Sequence, residues 1–150
     1  MSHITTINLQ ILDLDSLEKA CSRLGLELVR GKKTFKWFGR FMGDTRPPKE
    51  LGDPRDYGKC DHVIRVKGSP TAYEIGLIKR KDGKGYMMAW DSWQRGHGLV
   101  DKTTYNQRQT GAEKLKDWYA AEVAKKQMSL QGFMVQTRQL NGKVQVVCSK

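Results

Sequence analysis

The chain of 150 residues predicts an α+β fold: an antiparallel sheet with two helices packed on one face, in the order β-α-β-β-β-β-α-β-β. Three observations carry this expectation. His62, Ile64 and Val66 alternate with Val63, Arg65 and Lys67, and Tyr73, Ile75, Leu77 and Lys79 alternate with Glu74, Gly76 and Ile78, which is the period-two pattern of strands. Turn sequences close two hairpins, Lys81-Asp82-Gly83-Lys84-Gly85 and Leu140-Asn141-Gly142-Lys143. Leu115, Tyr119 and Val123 recur every fourth residue with Trp118 beside them, the spacing of a helix face.

Taken in order, Ile4, Ile7, Leu9 and Ile11 begin a first strand. Asp13 or Asp15 caps a helix with apolar positions Leu14, Leu17, Cys21 and Leu24, and Gly25 ends it. Leu26 and Leu28, followed by Phe35, Trp37 and Phe38, read as a second strand or a bent pair, interrupted by the basic turn Arg30-Gly31-Lys32-Lys33. Glycine and proline are too dense over residues 39–60 for a regular element, so a long, irregular, basic loop is expected there. After the central strands, Gly96-His97-Gly98 is a flexible break, and Thr103 or Thr104 is read as the cap of a helix running to about Leu130. Gly132 stops it, and Phe133, Val135, Thr137, Val144, Val146 and Cys148 form two closing strands. The length suits a single domain spanning residues 1–150.

Lys and Arg number 27 against 16 Asp and Glu, a formal charge of +11, which favours an anionic partner. Cys21, Cys60 and Cys148 are unevenly spaced and form no CxxC pair, so neither a disulfide framework nor a zinc ribbon is indicated. The start of the chain lacks a secretory pattern and no run has the length of a membrane span, so a soluble cytoplasmic protein without a membrane partner is expected.

The residues 31–41 interleave cations with rings: Lys32, Lys33, Lys36 and Arg40 with Phe35, Trp37, Phe38 and Phe41. Cations neutralise phosphates and rings stack on unpaired bases, so this pattern suits single-stranded nucleic acid. The same pattern describes a half-buried basic strand whose rings enter the core and whose lysines meet water. Lys79, Arg80, Lys81 and Lys84 form a second basic cluster at a hairpin tip, which Arg46, Lys49 and Arg55 can extend. His62 near Cys60 does not make a metal ligand set. His97 beside Trp90, Asp91 and Trp93 has the residues of a general base, but nothing in the sequence supplies a nucleophile or oxyanion donors to complete the site. No phosphate-binding glycine motif is present.

The segments Met1-Ser2-His3-Ile4-Thr5-Thr6-Ile7, Asp13-Leu14-Asp15-Ser16-Leu17, Asp61-His62-Val63-Ile64-Arg65, Tyr73-Glu74-Ile75-Gly76-Leu77 and Gln131-Gly132-Phe133-Met134-Val135, in this order, resemble a family of unknown function. Plastid genomes carry it as hypothetical chloroplast open reading frame thirty-five, and it occurs in cyanobacteria, other bacteria and phages. The chain departs from that pattern in a longer basic segment over residues 32–59 and in a less acidic strand at residues 87–90. The resemblance supplies no catalytic residues and no cofactor. It implies an adaptor role near AAA-type ATPases, and the basic segment fits a phage or mobile-element version directed at nucleic acid or a host nucleoprotein machine, in the host cytoplasm.

The sequence thus predicts a non-enzymatic accessory protein that binds RNA, DNA or a nucleoprotein complex through Lys32, Lys33, Lys36, Trp37, Arg40, Lys79, Arg80 and Lys84, with no cofactor or metal. The alternative is an adaptor or inhibitor that binds an AAA-type ATPase or a host enzyme through exposed Trp37, Trp90 and Trp93. An uncharacterised enzyme is the third reading.

Overall fold

The computed structural model describes residues 3–40 and 48–150. Strand β1 (Ile4–Ile11) leads into helix α1 (Leu14–Arg23) and strand β2 (Leu26–Arg30). Strands β3 (His62–Val66), β4 (Ile75–Lys79) and β5 (Tyr86–Asp91) then form a meander. The five strands pair antiparallel in the order β1-β5-β4-β3-β2, so β1 and β2 are the two edges and α1 carries the chain from one to the other.

The start of α1 is set by Asp13, whose carboxylate accepts from Asp15 N (3.0 Å) and Ser16 N (3.2 Å), satisfying amides that lack helical partners. Lys126 of the later helix reaches the same carboxylate at 2.8 Å, and its hydrogen bond holds the Asp13 carboxyl down at about 2. Tyr119 accepts from Leu12 N and Asp13 N through its hydroxyl, at 3.0 and 3.1 Å. The helix cap is therefore also the joint between the first third of the chain and the last.

The main core lies between the sheet and the helices. Leu17, Ala20 and Cys21 from α1 meet Ile7, Leu28, Ile64, Ile75, Leu77, Met88 and Trp90 from the sheet and Leu115, Trp118 and Tyr119 from the long helix. The expected helical packing on one face is observed, and the start of the long helix is corrected. A short helix α2 (Leu99–Thr103) ends where the cap was expected, and α3 spans Glu113–Leu130. The hydroxyls of Thr103 and Thr104 donate back to the Val100 carbonyl, both at 2.9 Å, so they close α2 instead of capping α3.

Strands β6 (Met134–Leu140) and β7 (Lys143–Ser149) do not join the main sheet; they form a separate two-stranded ribbon packed on α3. Its turn is the expected Asn141-Gly142, with φ of 52° and 71°, the left-handed pair that a two-residue hairpin turn requires. Arg23 ties these layers together: it bonds the buried Glu122 at 2.9 Å, donates to Thr137 at 3.1 Å and lies 4.4 Å from the centre of the Trp118 ring.

The other face of the sheet is covered by irregular chain. Phe35–Phe38 is not a strand; only Thr34 makes a ladder contact, with Lys59. Within the expected loop at residues 39–60, residues 41–47 lie outside the described residues, and the remainder holds two single turns of 3-10 helix, Lys49–Leu51 and Pro54–Asp56. Phe35 N donates to Gly58 O (2.8 Å) and Cys60 N to Lys33 O (2.9 Å), and Phe35, Cys60, Val63 and Ala89 form a second, smaller core. Val63, Gly76 and Ala89 are partners across β3, β4 and β5, and the Phe35 ring lies directly on Gly76, where any Cβ would overlap it. Cys21 and Cys60 are buried free thiols and Cys148 is an exposed one.

Gly76→Ala should destabilise the fold by about 1–3 kcal/mol in urea unfolding, because the added methyl overpacks the Phe35 contact. Phe35→Leu in the same chain should recover part of that loss, and a Gly76→Ala protein as stable as the parent would show that the ring is free to move away.

Candidate nucleic-acid interface

The basic residues singled out in the sequence fall into two sets with different surroundings. Lys32 is committed to the fold: its ammonium lies 3.1 and 3.2 Å from the two oxygens of Glu74, a buried carboxylate that also accepts from Lys36 N at 2.8 Å. The Lys36 side chain donates to the Pro70 carbonyl. Lys33 is exposed and stands 3.9 Å from Asp61, whose other oxygen accepts from Lys79 N at 2.8 Å, so the two sequence clusters meet on either side of Asp61. Arg40 is exposed at the end of its described segment, and Arg46 lies outside the described residues.

The second set borders a groove. Lys49, Glu50, Lys79, Arg80, Lys81 and Asp82 line an open depression of about 600 Å³ whose apolar lining is Ile78 and Met87. Ile78 and Met87 are register partners on β4 and β5. The depression runs into a smaller cavity of about 150 Å³ bounded by Phe35, Leu51, Tyr57 and Ala89, with Glu50, Ile78 and Met87 common to both. Arg80 is paired with Asp82 at 2.9 Å, which also accepts from Lys84 N and shapes the hairpin tip, where Lys84 is exposed. Arg55 is likewise paired, with Asp53 at 2.8 Å. The cations facing the groove without a described acidic partner are therefore Lys49, Lys79 and Lys81, all exposed. The sequence reading named these cations but missed the apolar strip between them, whose signal was that β4 and β5 carry apolar residues on both faces.

The aromatic residues require corrections. Trp37 is half-buried: its ring rests on Gly58 and makes an edge contact with Tyr57 at 6.0 Å. Trp90 is 1% exposed in the main core and therefore cannot serve as an exposed docking residue. It lies on the helix-covered face of β5, opposite in phase to Ala89. Trp93 is half-buried between Phe38 (5.5 Å) and His97 (5.9 Å).

The imagined pairing of His97 with Asp91 is not formed. Asp91 is fully buried and accepts from three backbone amides, His3 N at 2.9 Å, Trp93 N at 3.0 Å and Phe38 N at 3.0 Å. His97 is exposed and contacts the rings of Tyr73 and Trp93 edge-on. It ends a left-handed turn in which Gln94, Arg95, Gly96 and His97 all have φ between 49° and 60°, a conformation costing non-glycine residues roughly 1 kcal/mol or more each. Arg95 holds the turn through Asp101 (2.6 Å) and the carbonyls of Gln107 and Gln109.

His62 is structural. Gly31 N donates to its Nδ1 at 2.9 Å, and its Nε2 lies 3.2 Å from the Tyr86 hydroxyl, so the neutral ring with Nε2 protonated satisfies both contacts. Burial depresses its affinity for a proton, Lys33 and Arg30 depress it further, and Asp61 opposes them. Among the described residues no group of three or more His, Cys, Asp or Glu is placed to hold a metal ion, and no helix is long and apolar enough to cross a membrane. No family model, curated protein or solved structure matches the chain.

Two outcomes follow from these placements. Because His62 has a folded-state pKa below its ordinary value of 6.5, its contribution to stability is complete above that pH and is lost as pH falls through the folded value. Chemical unfolding between neutral and mildly acidic pH should show the parent losing stability more steeply than His62→Gln; equal slopes would exclude the effect. Trp37→Ala should lower stability by about 2 kcal/mol, roughly half the cost of removing a fully buried ring. A loss below about 0.5 kcal/mol would place the ring outside the packing.

Proposed function

We propose that this protein is a basic accessory protein that binds nucleic acid, with a strand lying along the groove beside the β4–β5 hairpin. One observation carries the reading: Lys49, Lys79 and Lys81 line an open depression that also holds the apolar pair Ile78 and Met87, with Glu50 and the Arg80-paired Asp82 in its wall. Phosphates suit the rim, because neutralising them releases condensed counterions, and the planar faces of unpaired bases suit the Ile78 and Met87 strip. Lys33, joined to Lys79 across Asp61, extends the rim, whereas Lys32 belongs to the Glu74 pair and is removed from the binding set. No covalent chemistry is invoked.

A second reading, an adaptor or inhibitor for an AAA-type ATPase or a host enzyme, draws support from a different surface. Leu12 and Leu130 are 70% and 81% exposed and flank a groove between β1 and α3 lined also by Leu9, Ala120 and Val123. Capture from the native host with and without nuclease separates the readings, since a protein partner retained after nuclease treatment favours the adaptor.

Titration of labelled RNA or single-stranded DNA should give log affinity falling with log salt at a slope of about −2 to −3, as expected for three or four neutralised phosphates. Lys49→Glu, Lys79→Glu and Lys81→Glu together should weaken binding at least about tenfold at low salt while leaving the melting temperature unchanged. Unaltered affinity in that variant would overturn the groove as the site.

A further inference from the structure

The last 28 residues, 123–150, contain no Asp or Glu and five cations, Lys125, Lys126, Arg138, Lys143 and Lys150. Most of this segment is the β6–β7 ribbon, whose partners run from Met134↔Ser149 to Leu140↔Lys143. Alternation assigns its two faces. Val135, Thr137, Val144 and Val146 are partly buried, with Val144 and Val146 packed against the main core. The opposite face, including Met134, Gln136, Arg138, Lys143, Gln145 and Val147, is exposed. Arg138 Nε donates to Gln145 Oε1 at 3.0 Å across the strands, so the centre of this face is a guanidinium and amide array.

We propose that this ribbon enters the major groove of duplex DNA through its exposed face. The proposal shares with the reading above only the premise of a nucleic-acid partner and uses a different surface. Its shape fits: two strands lie about 5 Å apart, and a major groove about 12 Å wide admits a two-stranded β-ribbon. A seven-residue strand rises roughly 23 Å, enough to follow the groove over several base pairs. The chemistry fits as well, since glutamine amides match the N6 and N7 of adenine, arginine matches the O6 and N7 of guanine, and apolar side chains contact the thymine methyl. As a sheet of only two strands, the ribbon also leaves an unpaired edge on each side, whose outward amides suit phosphate oxygens.

The same observations weigh against other occupants. A second copy would bring one acid-free cationic ribbon against another. A bilayer would have to bury Gln136, Arg138 and Gln145, which separate Met134, 72% exposed, from Leu140, 49% exposed. Double-stranded RNA is disfavoured because its major groove is deep and narrow.

The test uses the full chain and a fluorescent DNA duplex of mixed sequence, followed by anisotropy at low salt. The parent should bind, a major-groove ligand such as methyl green should displace it, and the minor-groove ligand netropsin should not. Arg138→Glu with Lys143→Glu should weaken duplex binding at least about tenfold, while the Lys49, Lys79 and Lys81 triple variant should retain it. Gln136→Ala with Gln145→Ala, two exposed truncations, should also weaken it and provides the test if the charge-reversed ribbon misfolds. Duplex binding unchanged in a folded ribbon variant, or displaced only by netropsin, overturns the proposal. Binding to single strands but not to duplex overturns the ribbon alone, and failure to bind either nucleic acid overturns both readings. Ribbon-dependent binding to anionic lipid vesicles with no duplex binding assigns the face to a membrane instead and also overturns it.

Discussion

Contact between the Phe35 ring and the bare backbone of Gly76 is the constraint on which the far face of the sheet depends. Helices shelter the near face, whereas among the described residues the far face has the chain around Phe35 and residues 48–60 to exclude water from Val63 and Ala89. Such chain makes few ladder bonds, so its position is fixed by other means. Glu74 N donates to Lys36 O, Lys36 N donates to the Glu74 carboxylate, and Asp91 accepts from Phe38 N. The ring supplies burial and the carboxylates supply direction. The cavity lined by Phe35, Leu51 and Tyr57, and the groove continuous with it, exist because this cover lies flat on the sheet.

The buried carboxylates show how the charge excess is divided. Glu74, Asp91 and Glu122 are each at least nine-tenths buried, where an unpaired ion would cost several kcal/mol. Lys32 and Arg23 compensate two of them, and among the described residues Asp91 is compensated by three backbone amides. Each of these acids holds segments that are distant in sequence, so their burial reflects assembly of the fold. Cations paired in this way are unavailable to an outside partner, and the net charge of the chain overstates the interface. The groove rim and the ribbon are two of the places where positive charge is left facing water.

Much of the fold was legible because local chemistry and tertiary packing agree. Asp13 ahead of an apolar helical stripe, Asn141-Gly142 between two alternating runs, and Leu115, Trp118 and Tyr119 on one helix face all behave as their spacing implies. The failures have physical causes. Thr103 and Thr104 can cap the helix that follows or bond back to the helix that precedes, and only the position of Val100 decides between them. Phe35, Trp37 and Phe38 carry a strand-like pattern, but the amides of Phe35, Lys36 and Phe38 are satisfied by Gly58, Glu74 and Asp91, which no local pattern reveals. The separateness of the ribbon was also invisible, since alternation specifies a strand's faces without naming the sheet it joins. For the site, the cations were readable but their partners were not: Lys32 and Lys79 look equivalent in sequence and differ because only Lys32 stands against a buried acid.

The distribution of thiols makes the molecule chemically addressable. Burial pushes the Cys21 thiol up to about 12 and the Cys60 thiol up to about 11, so neither offers appreciable thiolate near neutral pH. Cys148 is exposed on β7, opposite Val135 in the ribbon register. A maleimide dye applied to the folded protein would therefore mark the ribbon selectively, without any engineered cysteine. Its emission would report what approaches that hairpin, while the groove on the far side of the sheet stayed unlabelled.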